Sequence, residues 1–199
     1  MKTKNIIIKI KSSDTTQFSN PAGENNLIIQ LDQTDLNRMV KTNLISDFER
    51  ANLVPNNTIY DLMNFALGIY TIDQVVSRKI NGFQGWSRHL IVDFPVHDLQ
   101  LWNNVKTDFE NYLSFLSGDK WEIVFRQNCA IREFKLPEVR NPDNFSKVSL
   151  FSGGLDSFIG AIDLLSEQEK PFFVSHYKTS ESKVQNILTN ALKEKFGLA

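Results

Sequence analysis

The chain has 199 residues, enough for one large domain or two small ones and for an apolar core of ordinary size. Lysine and arginine number 22 against 23 aspartates and glutamates, and a net charge of −1 argues against a general nucleic-acid or anionic-membrane surface. The single cysteine, Cys129, excludes a disulfide framework and a multi-cysteine zinc site in this chain. The apolar run after Met1-Lys2-Thr3-Lys4 is too short for a signal peptide or a membrane span, so a cytoplasmic protein is expected.

Asn5 to Ile10 reads as a strand, and the polar stretch from Lys11 to Asn26, with Pro21 and Gly23, as a long turn. Leu27 to Leu31 would be the second strand of that hairpin. Leu36, Met39, Val40, Leu44 and Ile45 recur at helical spacing between Thr34 and Phe48, with Thr34 as the N-cap and Pro55 closing the segment. A longer helix follows, its stripe made by Ile59, Leu62, Met63, Ala66, Ile69, Tyr70 and Asp73 to Val76. Asn57 or Thr58 caps its start, and Arg78 and Lys79 lie at its end, where the helix dipole favours cations. Asn81-Gly82 is a turn signal.

His89 to Phe94 alternates as a strand ended by Pro95. Val105, Phe109, Tyr112, Leu113 and Leu116 mark a helix stopped by Gly118, and Trp121, Ile123 and Phe125 share one face of a further strand. These elements suggest helices on a mostly antiparallel sheet, an α+β domain of residues 1–140. The composition turns polar between Glu138 and Lys147, near Pro137 and Pro142, as a domain boundary does.

The second domain, 147–199, opens with the most informative stretch of the chain. Val148 to Phe151 is a short apolar strand, Ser152-Gly153-Gly154 a turn, and Leu155 to Leu165 a helix. Both glycines allow positive φ and a close backbone approach to a ligand. The unpaired N–H groups of the first helical turn and the helix dipole attract an anion to the same place. Ser152 and Ser157 add hydroxyls, and Asp156 a carboxylate able to hold magnesium against phosphate. The run is not a Walker A loop, since no Gly-Lys-Ser/Thr follows, and it lacks the third glycine of a dinucleotide fingerprint. An ordinary Ser/Gly cap on a helix is the plain alternative. Pro171 to Tyr177 then reads as a buried strand. Val184, Ile187, Leu188, Ala191 and Leu192 follow as a helix face, with Gly197 as its stop. Two strand–helix units in succession imply parallel pairing, with the loop at Ser152 and the tip Ser175-His176-Tyr177 facing one crevice.

Ser152-Gly153-Gly154-Leu155-Asp156-Ser157 resembles the pyrophosphate loop, S-G-G-x-D-S, of the N-type ATP pyrophosphatases, matching it at every position. The longer run from Phe151 is similar to the 7-cyano-7-deazaguanine synthase branch. Asp61-Leu62-Met63 through Asp73, Gly85-Trp86-Ser87-Arg88, Asp93-Phe94-Pro95-Val96 and Phe115 to Trp121 resemble the added N-terminal domain of synthase-like proteins from bacterial anti-phage defence operons. The resemblance implies an α/β chain that ends in the first two strand–helix units of an adenine nucleotide alpha hydrolase-like parallel sheet.

It further implies an ATP-dependent ligase that adenylates a 7-deazaguanine-type carboxylate and releases pyrophosphate. Phe151, Ser152, Gly153, Gly154, Leu155, Asp156, Ser157, Ser175 and His176 would hold ATP. Asp156 and Ser157 would be catalytic, and Asp156 would meet magnesium through the phosphates. His176-Tyr177-Lys178-Thr179 departs from the aromatic-Asp-Tyr-Gly-Gln of the housekeeping synthases. The family's four zinc cysteines lie near its C-terminus, so zinc is expected only in a part beyond this chain. That part, or a protein partner, would complete the sheet, and the isolated chain would be inactive. Two other readings stand beside this one. A binding or regulatory module would hold nucleotide without turnover. Sulfur or ammonia transfer to RNA would need a basic face and catalytic cysteines, which are not apparent. Trp86 and Arg88 could form a partner surface or a cation–π pair.

Overall fold

The computed structural model describes residues 3–19, 25–50, 53–128, 145–175 and 179–198. The chain divides into two compact units, Met1–Glu138 and Val139–Ala199.

Among the described residues the first unit has four strands, β1 (Thr3–Lys9), β2 (Asn26–Gln30), β3 (His89–Val96) and β4 (Lys120–Gln127). Their order is β2-β1-β3-β4, and every neighbouring pair is parallel. This overturns both the expected hairpin and the mostly antiparallel sheet. Alternation reports which residues share a face, whereas strand direction depends on the connection. Residues 10–25 form a connection long enough to return to the start of the next strand, the dozen or more residues a parallel pair needs. The helices between later strands do the same, so this unit is α/β rather than α+β.

Among the described residues five helices accompany the sheet: α1 (Leu44–Arg50), α2 (Asn57–Val75), α3 (Arg78–Asn81), α4 (Leu99–Asn104) and α5 (Lys106–Ser117). No helix starts at Thr34. Asp32 Oδ1 accepts from Thr34 N at 2.9 Å and Asp35 Oδ1 from Asn37 N at 2.8 Å, local turns that compete with helix, and Leu36 is 93% exposed. α2 is capped by Asn56, whose side chain accepts from Ile59 N, one residue before the expected cap. Its buried face is Tyr60, Asp61, Asn64, Phe65, Gly68, Thr71 and Ile72; Ile59, Leu62 and Tyr70 point to solvent. α2 ends at Val75 with Val76 as its C-cap, and Arg78 opens α3 instead of closing α2. The tight turn falls at Gln84-Gly85, both at positive φ, rather than at Asn81-Gly82. Gly118, at φ 71, ends α5 in the left-handed conformation expected of it.

The core lies on one face of the sheet. Ile6, Ile8, Leu90, Val92, Phe94, Trp121 and Ile123 meet Phe65 and Ile72 of α2, and Phe109 of α5 packs against them. Phe65 is central, its ring 5.2 Å from Phe94 and 5.1 Å from Phe109. Arg88 is 0% exposed: it donates to Asp119, to Asp73 Oδ1 at 2.8 Å and to Val76 O at 2.6 Å. Trp86 is 76% exposed, so the two do not present the shared surface pair that the sequence allowed.

The second unit pairs β5 (Lys147–Leu150) in parallel with β6 (Pro171–Val174), joined by α6 (Leu155–Ser166) and followed by α7 (Thr179–Phe196). The strand–helix–strand order requires that direction. Phe151, Ala161 and Leu192 form its buried centre, with Phe158, Phe173, Leu188 and Phe196 against them. The buried side of α7 therefore runs Gln185, Leu188, Leu192, Phe196. Val184 and Ile187, assigned to that side by spacing, are exposed. Gly197, at φ 65, ends the helix.

Candidate functional site

β5 delivers Phe151 into the core, where its N–H bonds Val174 O at 2.8 Å and its ring lies 5.6 Å from that of Phe173. The chain then leaves the sheet at the carboxyl end of the strand, and the next three residues turn it into α6. Gly153 stands at φ 85, where only glycine is comfortable, and a Cβ there would come within 2.9 Å of Gln185 Cγ. Gly154 differs from expectation: at φ −83 and ψ 167 it is ordinary extended backbone, and it is the N-cap of α6.

The hydroxyls close on one another. Ser157 Oγ donates to Gly154 O at 2.9 Å and lies 3.1 Å from Ser152 Oγ, which accepts from Gly154 N at 3.3 Å. Neither serine caps the helix: no side chain accepts from its first-turn N–H groups. The N–H groups of Leu155, Asp156 and Ser157 thus have no acceptor among the described residues, which leaves them aimed out of the N-terminus of a helix of 12 residues. Asp156 projects an exposed carboxylate beside them. Such a nest of donors, with positive helix potential behind it, suits a phosphate group, and the exposed carboxylate suits a hydrated magnesium ion bridging to it. The residues present therefore fit a phosphate group with magnesium, the part of ATP that would meet this loop.

Ser175 follows β6 and donates Oγ–H to Phe151 O at 2.7 Å, so the two strand ends adjoin as the parallel pairing requires. His176 and Tyr177, and Cys129 as well, lie outside the described residues. One contributor escapes a reading of the sequence. Gln185 of α7 is buried and donates Nε2–H to Ser152 O at 3.0 Å, bracing the loop from behind Gly153. A lone amide between exposed residues of a helix carries no signal of that role; only its spacing from Leu188 and Leu192 places it on the buried side.

Among the described residues no group of three or more His, Cys, Asp or Glu side chains could hold a metal ion, and no helix is long and apolar enough to cross a membrane. Comparison with known proteins finds no family model that matches the chain, no similar curated protein and no similar solved structure.

Proposed function

We propose that this chain is the ATP-binding part of an adenylating ligase or synthase of the N-type ATP pyrophosphatase kind, acting on a 7-deazaguanine-type carboxylate in bacterial anti-phage defence. The observation that carries the reading is the uncapped start of α6. If the serines were there only to cap a helix, one would accept from its first-turn N–H groups, and neither does. The S-G-G-x-D-S match supplies the nucleotide and the reaction class.

On this reading the substrate carboxylate attacks the α-phosphorus of ATP and the bond to the bridging oxygen breaks. Pyrophosphate leaves with the electron pair and an acyl adenylate remains. An amine, either ammonia or a protein amine, then displaces AMP. The N–H groups of Leu155, Asp156 and Ser157 offset the charge that grows on the leaving group, at positions fixed before the reaction starts. Ser157 donates to Gly154 O with Ser152 Oγ beside it, until a phosphate oxygen replaces the internal acceptor. Magnesium, when bound through Asp156, would supply further neutralisation of the triphosphate.

β5 supports a completing segment, from a partner or from further chain. Its outer edge has no strand partner among the described residues, and Val148 and Leu150 are 73% and 77% exposed. The same open edge favours the second reading, a nucleotide-holding docking subunit without turnover. Pyrophosphate release, assayed with the completing polypeptide present, separates the two. Wild type should release pyrophosphate from ATP and Asp156→Ala should not, while keeping its circular dichroism spectrum. Equal release by both proteins would refute the site, and release by neither would favour the docking role.

A further inference from the structure

The first unit has a crevice of its own, opposite in kind to the phosphate loop. Its strand order, β2-β1-β3-β4, sends the chain from β1 to one side and from β3 to the other. The carboxyl ends of β1 and β3 therefore border a point where connections diverge, and open parallel sheets bind ligands at such points. A cavity of about 370 Å³ lies there, lined by Ile10 and Lys11 after β1, Pro95 of β3, and Arg126 and Gln127 of β4, with Ser13 and Thr15 from the β1–β2 connection.

The guanidinium in its wall is already matched. Arg126 donates through Nη1 to Asp93 Oδ1 and through Nη2 to Asp14 Oδ2 and to Ile8 O. An incoming anion would have to displace a carboxylate from the guanidinium, so the cavity does not suit a phosphate. Among the described residues no aromatic side chain lines it, so it does not suit a ligand held by ring stacking either. What remains is hydrogen-bonding capacity. The hydroxyls of Ser13 and Thr15, Oε1 of Gln127 and Nε–H of Arg126 have no partner among the described residues. Hydroxyls that both donate and accept, an amide oxygen and a guanidinium N–H match a ligand whose own groups are hydroxyls. We propose that this crevice binds a neutral, hydroxyl-rich small molecule, either a free sugar or the ribose of a nucleoside.

Saturation-transfer NMR on the full chain, with D-ribose and with guanosine as probes, tests this. Neither probe carries the phosphate that the loop at Ser152 would recognise. Ribose-proton signals should appear with at least one probe; ribose alone sufficing identifies a free sugar, and guanosine alone a nucleoside. Both Thr15→Trp, which fills the mouth from an exposed position, and Gln127→Ala should weaken the signals, by about five-fold for each hydrogen bond lost. Gly154→Val, at the loop of the other unit, should leave them unchanged. Absence of ribose-proton transfer from both probes would overturn the proposal. So would signals that persist undiminished in folded Thr15→Trp and Gln127→Ala, or that vanish in Gly154→Val.

Discussion

Gly153 and Gly154 are adjacent and identical in type, yet the structure asks different things of them. Gly153 has positive φ and Gln185 behind it. Gly154 has an ordinary extended backbone and room for a methyl, with Ser152 Oγ 3.5 Å from where that carbon would sit. Gly153→Ala should therefore destabilise the second unit by about 1–3 kcal/mol through backbone strain, and Gly154→Ala by much less. Amide exchange along α6 reads the difference; equal effects would contradict the assigned conformations. Arg88 and Asp119 carry the corresponding weight in the first unit. Asp119→Ala leaves a buried guanidinium with only the half-exposed Asp73 as counter-charge and should cost about 3 kcal/mol in denaturant unfolding. The S-G-G-x-D-S residues are legible in the sequence because their chemistry depends on type and spacing in one short run. Arg88 is not, since a charged side chain looks like surface until its partners, Asp73 and Asp119, are brought to it by the fold.

At the scale of elements, the connection between β1 and β2 shows why strand direction escapes the sequence. Pro21, Gly23 and the polar residues mark an irregular segment, but such residues say nothing about whether the chain returns beside itself or along its own length. What holds the connection is local. Asp32 accepts from Ser12 N at 2.9 Å and Ser12 Oγ at 2.8 Å, and on its other oxygen from Thr34. Burial would raise its pKa, but the hydrogen bonds from Thr34 and Ser12 outweigh this and lower it from 3.8 to about 2. Because the folded value lies below the unfolded one, the stabilisation is fully present above about pH 4 and is lost as the pH falls towards 2. Asp32→Asn should therefore flatten the acid limb of the stability curve in that window and lower stability at neutral pH, where the wild-type carboxylate contributes in full, while changing little near pH 2. An unchanged acid limb in thermal melts between those values would show that the carboxylate does not tie β1 to β2. The stripe of α2 misleads for a related reason. Its inward side includes Asp61, Asn64 and Thr71, polar residues satisfied within the fold, such as Asp61 by His97 and Asn64 by Tyr60 O. Apolar periodicity finds a helix here without finding which side of it is buried.

At the scale of the molecule, the two units differ in how much they can stabilise by themselves. The first buries a continuous apolar layer across four strands, whereas the second fully buries only Phe151, Ala161 and Leu192 among its described apolar side chains. A core that small rarely supplies more than about 3–5 kcal/mol. Both helices of the second unit pack with Phe151 and Phe173 on one side of its sheet. The side bearing Val148, Leu150 and Val174 is left exposed, and the outer edge of β5 is open among the described residues. A helix N-terminus contributes about 0.3–2 kcal/mol to holding an anion, whereas micromolar binding needs about 8 kcal/mol. On the proposed function the difference would come from groups that line a nucleotide on its other sides, presented by strands added at the open edge of the parallel sheet. The 199-residue chain alone should therefore show fast amide exchange in α6 and α7 beside slow exchange in β1, β3 and β4, and no steady pyrophosphate release from ATP. If the proposed completing polypeptide pairs with β5, adding it should slow exchange in α6 and bring release with it. Slow exchange throughout the second unit of the isolated chain, or steady turnover by it, would mean that two strands suffice to build the site and that the exposed side of β5 has another purpose.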